Sequence, residues 1–163
     1  MPIDMLLALS LMAQPVAAAA PYTLQTCEDP VARKAMLAAG PDEFPVFKAL
    51  KEGSKVNKAR MTALLDRLVE RAKLKPEQRA GVAMKMLEDA SFKSAFAEGS
   101  VLLEKAIASM MAMTGKNDAA DCRIVIGMAA DLPAFEANSA RQWEAMRLVM
   151  EGEAKRLGVS LAD

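Results

Sequence analysis

Along most of the chain, apolar residues recur every three or four positions, the spacing of helices that bury one face. The clearest case lies between residues 61 and 72, where apolar residues fall at i, i+3, i+4, i+7 and i+11: Met61, Leu64, Leu65, Leu68 and Ala72. The charged residues of this stretch lie largely off that stripe. The pattern therefore predicts an amphipathic helix with one side buried and the other in water.

Proline, glycine and capping residues divide the rest of the chain into further predicted helices. Asp29-Pro30 combines an N-cap acceptor with proline at the first helical position, and Gly40-Pro41 ends the helix that follows. The other predicted helices are a short one over 44–52 with Gly53 at its end, one opened by Pro76, one from Ser91 to Thr114 with a weak point or break at Gly99, one that includes Cys122 and ends near Asp131, and a long one from Pro133 to Leu157 that Gly158 stops.

One stretch, CRIVIGM at 122–128, has enough β-branched residues to form a strand instead. A lone strand without partners would be unstable, and no other stretch of the chain predicts one. We therefore predict an all-α fold, a compact bundle of six or seven helices that forms a single domain over 20–163.

The first residues of the chain are apolar in a way typical of a signal peptide. Met5 to Ala13 is an apolar run too short to span a bilayer, and Pro15 and a series of small residues follow it. We predict a signal peptide over 1–19, removed by cleavage after Ala19. Residues 1–4 contain no Lys or Arg, which departs from that pattern, and the alternatives are an N-terminal helix of the fold or a retained anchor.

Export changes the interpretation of the two cysteines, Cys27 and Cys122. In an oxidising compartment a single pair of cysteines most simply forms one disulfide. We expect a structural Cys27–Cys122 bond and a periplasmic or secreted protein without a membrane anchor once the signal peptide is removed. The alternative is two unrelated buried thiols in a cytosolic protein.

Composition excludes several kinds of chemistry. The chain has no histidine, which rules out Ser-His-Asp and Cys-His catalysis and any zinc site that uses histidine. Twenty-one basic residues balance twenty-one acidic ones, and only seven residues are aromatic, so neither charge nor stacking favours a nucleic-acid partner. We expect no cofactor.

Thirteen methionines raise the possibility of copper binding. In an exported protein, clustered thioethers are suitable ligands for Cu(I), and the best candidates are Met110 and Met113, which would share one helix face. The alternative is that methionine fills gaps in a helical core or lines an adaptable binding surface.

Two further stretches suggest functions. Residues 74–78 are LKPEQ, which is similar to the LTxxQ motif of the Spy/CpxP family of periplasmic chaperones and sensors, with Lys75 at the threonine position and no second copy. The resemblance covers five residues and implies an exported helical chaperone or sensor. Separately, Glu98 and Glu104 flank a possible helix break and are candidates for the carboxylate pair of a hydrolase.

The last predicted helix places Trp143, Met146 and Met150 at near-heptad spacing. Such a stripe is either core or, if exposed, a groove for a protein or peptide partner with an aromatic anchor. The leading hypothesis is a non-enzymatic exported protein that binds a protein, peptide or apolar ligand, as an inhibitor, an immunity-type partner or a chaperone-like module. Copper handling and carboxylate-dependent hydrolysis are the alternatives.

Overall fold

Seven α-helices and one 3-10 turn make up most of residues 22–162, the part of the chain that the computed structural model describes. The helices are α1 (Leu24–Glu28), α2 (Pro30–Ala38), α3 (Pro45–Ala72), α4 (Pro76–Glu88), α5 (Ala90–Met111), α6 (Ala119–Ala129) and α7 (Leu132–Arg156), with the 3-10 turn over Pro41–Glu43. Residues 22–162 contain no strand, and the stretch CRIVIGM lies within α6. The predicted all-α fold is confirmed. The predicted signal peptide and its cleavage site lie outside the described residues.

Local capping signals set the ends of several helices. The Asp29 carboxylate accepts hydrogen bonds from the backbone N–H groups of Val31 and Ala32, at 2.8 and 3.2 Å, which caps α2. Asp118 caps α6 in the same way. Gly158 follows α7 with a φ of 70°, a left-handed conformation that glycine adopts without strain.

Two predicted interruptions are wrong. Helix α3 continues through Gly53, which joins the predicted short helix and the amphipathic helix into one of 28 residues. Helix α5 continues through Gly99 and ends at Met111, and its N-cap is Asp89 rather than Ser91.

Both glycines lie where another helix comes too close for a side chain. A Cβ atom on Gly53 would lie 3.0 Å from the hydroxyl oxygen of Ser139 on α7. A Cβ atom on Gly99 would lie 2.7 Å from the amide oxygen of Asn138, also on α7. These glycines therefore permit helix crossing, and the packed neighbour offsets their low helix propensity.

The three longest helices pack with α7 in contact with both others. Residues near the start of α3 and of α7 belong to one apolar cluster and residues near their ends to another, so these two helices are parallel. Helix α5 is antiparallel to α7, since Lys105 pairs with Asp131 at the start of α7, whereas Glu98 pairs with Arg141, nearly three turns further along α7.

The buried apolar side chains form two separate clusters. Core 1 gathers α1, α2 and α6 around the first turns of α3 and α7 and the second half of α5, and its buried members are Cys27, Met36, Leu37, Phe44, Val46, Ala106, Cys122, Val125, Met128 and Phe135. Core 2 lies where α4 packs on the second halves of α3 and α7, and its buried members are Leu65, Leu68, Val82, Met86, Met146, Met150, Ala154 and Leu161.

A hydrogen-bonded polar layer on α3, α5 and α7 contributes to neither cluster. The buried Asn57 amide donates to the Ser139 carbonyl at 2.9 Å and to its hydroxyl at 3.0 Å. The buried Asn138 amide donates to the Ala95 carbonyl at 2.7 Å and accepts from the Gln142 side chain at 2.8 Å. Because these buried amides find partners only in this alignment, the layer sets the register of the three helices.

The predicted Cys27–Cys122 disulfide is present, with an S–S distance of 2.03 Å. It joins α1 to α6 inside core 1, and neither cysteine has any exposed surface. Within residues 22–162, no helix combines the length and apolar character needed to cross a membrane.

Candidate functional site

The structure separates the three α7 residues that the sequence singled out. Met146 and Met150 are 7% and 0% exposed and belong to core 2, so they serve the packing role left open above and are not accessible to a partner. Trp143 is half-buried at the edge of the same cluster. It is therefore the one member of the stripe that a ligand can touch.

Trp143 lines an open groove of about 450 Å³ on the surface of core 2, called here the Trp143 groove. Its lining residues are Leu64, Trp143, Arg147, Glu151, Ser160, Leu161 and Ala162. Most of the lining is apolar, and its two charged members, Arg147 and Glu151, lie one turn apart on α7 and define what is called here the edge of the groove. Apolar grooves with a few polar groups at the edge are the usual form of peptide and small-molecule sites.

The segment that follows α7 builds one wall of the groove. Two arginines of α3 hold it: the Arg67 guanidinium donates to the Leu161 carbonyl at 2.8 Å, and that of Arg71 donates to the Ser160 and Ala162 carbonyls at 2.6 and 2.5 Å. Leu161, in the middle of this segment, is buried in core 2. Within the wall, the Ser160 hydroxyl also accepts from the Ala162 N–H at 3.1 Å.

An ion-pair cluster forms the edge of the groove. Arg147 donates two hydrogen bonds to Glu144, at 2.9 and 2.6 Å, and pairs with Glu151 one turn further along α7. The hydrogen bonds that Arg147 donates to Glu144 and then to Glu151 raise the pKa of Arg147 above its usual value, and the hydrogen bond from Arg147 lowers the pKa of Glu144. The three side chains thus hold one another in place at the edge.

The indole ring is itself oriented by a neighbouring cation. The Arg60 guanidinium lies 5.6 Å from the centroid of the Trp143 ring, within the range of a cation–π contact. Together with the packing on core 2, this contact presents a positioned aromatic surface to the groove. A preorganised aromatic side chain loses little conformational entropy when it binds.

A second feature lies on α5 and is called here the α5 stripe. Phe92, Phe96, Ser100, Leu103 and Ile107 lie on one side of this helix, since their spacing of three or four residues follows the helical repeat. Phe96, Leu103 and Ile107 are 59%, 37% and 38% exposed. Helix α7 contacts α5 on the adjacent face, through Ala95 and Gly99.

A smaller groove of about 190 Å³ lies between α4 and α7 beside a buried carboxylate. Glu153 is 9% exposed, and it accepts from Lys85 at 2.7 Å and from Arg156 at 2.8 and 3.0 Å. The hydrogen bonds from Arg156 and then Lys85 lower its pKa. A carboxylate held ionised in this way joins α4 to α7 and is unsuited to act as a general acid.

Asp121 is the other buried carboxylate of the described residues. It accepts from the backbone N–H groups of Thr114 and Asn117, at 2.6 and 2.9 Å, and from the Thr114 hydroxyl at 3.3 Å. Burial raises the pKa of Asp121, but the hydrogen bonds from Thr114 and Asn117 outweigh it and lower the pKa below its usual value. Its role is to hold the loop between α5 and α6 beside Cys122.

The methionines proposed for copper do not share a helix. Helix α5 ends at Met111, so Met113 lies beyond it and packs against core 1, whereas Met110 is half-buried on the last turn. The prediction that both thioethers lie on one face of a single helix is therefore wrong. Across residues 22–162, no group of three or more carboxylate or cysteine side chains is arranged to hold a metal ion.

The two carboxylates proposed for a hydrolase are exposed on α5. Glu98 pairs with Arg141 of α7, and Glu104 faces solvent. Neither lines the Trp143 groove or the groove beside Glu153. Their predicted position at a helix break is wrong, because α5 continues through Gly99.

Sequence reasoning found Trp143 but missed most of its surroundings. Glu144, Arg147 and Glu151 are spaced at i, i+3 and i+7, which is a visible signal for a charged edge on one helix face. The wall at 160–162 had no local signal, because it depends on arginines some ninety residues earlier in the chain. No protein-family model, curated protein or solved structure matches this chain, so any function has to be inferred from the groove itself.

Proposed function

We propose that this is an exported helical protein, periplasmic or secreted, that binds an apolar segment of a protein or peptide in the Trp143 groove. The observation that supports this is the half-buried Trp143 ring in the lining of an open, mostly apolar groove. The groove volume of about 450 Å³ falls within the usual range of ligand pockets. Tryptophan and arginine are the residues most enriched at binding hot spots, and the groove contains one of each.

The groove suits an apolar side chain of the partner rather than a polar small molecule. The partly exposed Leu64 and Trp143 offer apolar surface to it, and burial of that surface supplies the affinity. The paired charges of Arg147 and Glu151 at the edge set the orientation of the bound segment. An inhibitor, an immunity-type partner of a secreted enzyme and a chaperone-like module all act in this manner.

Two observations support export. The Cys27–Cys122 disulfide is a bond that persists in oxidising compartments. The pattern of residues 1–19, an apolar run followed by small residues, is that of a secretory signal.

The test uses a fluorescein-labelled amphipathic peptide with leucine at every third or fourth position, titrated with the purified protein and followed by fluorescence anisotropy. Trp143→Ala should raise the Kd about tenfold or more, the loss expected for an aromatic hot spot. Since Trp143 is the single tryptophan of the chain, its emission should also shift when the peptide binds to the unmodified protein.

The matched control is Leu148→Ala, on the same helix. Leu148 is 53% exposed and does not line the groove, so its truncation should leave the Kd unchanged. Equal affinity of the unmodified protein and Trp143→Ala, or no binding by a series of such peptides, would contradict the proposal.

A further inference from the structure

Arg60 differs from every other arginine of residues 22–162. Each of the others donates a hydrogen bond to a carboxylate or to a backbone carbonyl. The Arg60 side chain is exposed, and its one electrostatic contact within this part of the chain is with the Trp143 ring, 5.6 Å from the ring centroid. A guanidinium presents several N–H donors in a fixed fork, and those of Arg60 have no acceptor among the described residues.

This unpaired guanidinium lies at one end of the Trp143 groove. Arg60 precedes Leu64, a lining residue, by four positions, so the two side chains lie on the same side of α3, one turn or about 6 Å apart along its axis. The contact of Arg60 with Trp143, another lining residue, places it beside the same groove. An apolar side chain bound against Leu64 and Trp143 would therefore have the guanidinium about one helical turn away.

The carboxylates at the edge of the groove do not neutralise Arg60. Glu144 and Glu151 both pair with Arg147, and no carboxylate of residues 22–162 forms an ion pair with Arg60. The two α3 arginines that hold the wall carry further positive charge at the other end of the groove. The α3 side of the groove is therefore positively charged, although the net charge of the whole chain is zero.

A carboxylate is the group that best complements this end of the groove. It can accept two parallel hydrogen bonds from one guanidinium, and such charge-assisted bonds are stronger than those to a neutral acceptor. The neighbouring indole ring excludes water from one side of the guanidinium, which strengthens the attraction. A lysine or arginine of a partner at the same place would be repelled.

We infer that the Trp143 groove binds an apolar–acidic peptide segment, in which an apolar side chain enters the groove and a carboxylate about 6 Å away pairs with Arg60. This inference rests on the proposed function and narrows the class of partner from any apolar segment to one with an acidic residue at a set distance. That residue is about four positions from the apolar one in a helical segment and about two positions from it in an extended segment.

The test compares two fluorescein-labelled amphipathic peptides that differ only in charge. In both, a stripe of leucines is followed one turn beyond each end by the same residue, which is glutamate in one peptide and glutamine in the other. These two residues have similar helix propensities, so a difference in Kd reports the charge. Fluorescence anisotropy should give a Kd about fivefold lower for the glutamate peptide, the gain expected from one exposed ion pair. Added NaCl should reduce that preference, because salt screens the pair.

Two variants of the protein assign the preference to one side chain. Arg60→Gln should bind both peptides with the same Kd. This variant also loses the contact with the Trp143 ring, which weakens the binding of both peptides alike, so the ratio of the two Kd values is the readout. The matched control is Lys58→Gln, which should retain the preference. Lys58 is exposed and has no ion pair among the described residues, but it lies about 160° away around α3.

The possible results separate this inference from the proposed function. If binding depends on Trp143 but the two peptides have equal Kd values, or if the preference persists in Arg60→Gln, the inference is overturned and the proposed function is not. Equal loss of the preference in Arg60→Gln and Lys58→Gln would also overturn it, because the net charge of the protein would then select the partner. If neither peptide shows binding that depends on Trp143, both the proposed function and the inference are wrong.

Discussion

At the residue scale, Asp121 shows how a buried charge can serve structure rather than chemistry. Its carboxylate takes hydrogen bonds from the loop over 114–117, in which Gly115 and Asn117 have positive φ values. Those conformations leave backbone N–H groups pointing inwards, and a buried N–H group without an acceptor is costly. Asp121 satisfies them and thereby positions the residue that follows it, Cys122.

We predict that Asp121→Asn lowers the free energy of unfolding by about 1–3 kcal/mol, because the amide nitrogen would meet a backbone N–H group instead of accepting from it. The matched control is Asp118→Asn, since asparagine caps a helix about as well as aspartate. Urea denaturation at neutral pH measures both. A loss as large in Asp118→Asn as in Asp121→Asn would show that the loop does not depend on the buried charge.

The hydrogen bonds to Asp121 also predict that the stability difference between the unmodified protein and Asp121→Asn depends on pH. The pKa of Asp121 is lowered from its ordinary value of 3.8 in the folded protein, so its contribution to stability is present above that value. As the pH falls through the folded pKa, the carboxylate is protonated and the contribution is lost. The stability difference between the unmodified protein and Asp121→Asn should therefore shrink in acid, as urea denaturation at successively lower pH would show.

At the scale of the elements, the polar layer decides how α3, α5 and α7 pack. Gly53 and Gly99 provide the space, and Asn57 and Asn138 supply the hydrogen bonds. A shift of α7 by one turn would remove the hydrogen bonds of buried amides, at a cost of about 1–3 kcal/mol for each group left without a partner. The layer thus specifies a single arrangement where apolar contacts alone would permit several.

We predict that Gly99→Ala destabilises the protein even though alanine is the better helix former. The new Cβ atom would lie 2.7 Å from the Asn138 amide oxygen, so Asn138 would have to leave its hydrogen bonds. Gly152→Ala on α7 has open space around the new atom and should instead stabilise by up to about 1 kcal/mol. Thermal denaturation of the two variants should show midpoints shifted in opposite directions, and a rise in both would contradict the role given to Gly99.

These elements also show which parts of the fold a sequence can predict. Asp29-Pro30, Asp118 and Gly158 act on backbone groups within a few residues, so their effect was predictable from local spacing. In the sequence alone, Gly53 and Gly99 cannot be told apart from glycines that end a helix. Their true role depends on Ser139 and Asn138, which approach only after the chain has folded. A single sequence has no local signal for that contact.

The same limit applies to the candidate site. Trp143 was predictable as the lone tryptophan on an apolar stripe, but its burial relative to Met146 and Met150 depends on the exact rotation of α7. The prediction that Met110 and Met113 share one helix face is wrong because α5 ends two residues before Met113. Helix ends are the positions that periodicity locates least well, and the copper hypothesis depended on one.

At the scale of the whole molecule, the disulfide and the lone tryptophan belong to different ends of the bundle. Cys27 and Cys122 lie in core 1, whereas Trp143 packs on core 2. Helices α3 and α7 contribute to both clusters. Because the two cores share these helices, we expect a loss of packing in core 1 to destabilise core 2 as well.

We predict that replacing both cysteines with serine lowers the free energy of unfolding by about 4–5 kcal/mol, the chain-entropy estimate for a loop of this size. Circular dichroism reports all helices, and Trp143 fluorescence reports core 2. If residues 20–163 form one cooperative domain, both signals should shift to the same lower denaturant concentration. Two separate transitions would show that the cores unfold independently. Native protein with titratable thiols would contradict the disulfide.

The complete burial of the disulfide has a kinetic consequence. Reduction requires a thiolate to reach one sulfur along the axis of the bond, and neither cysteine exposes any surface to an incoming reagent. A reductant can therefore act only when α1 moves away from α6. When thiolate attack outpaces reclosing, the rate of reduction should equal the rate of that opening and should stop rising with the reductant concentration, so that reduction measures how often core 1 opens.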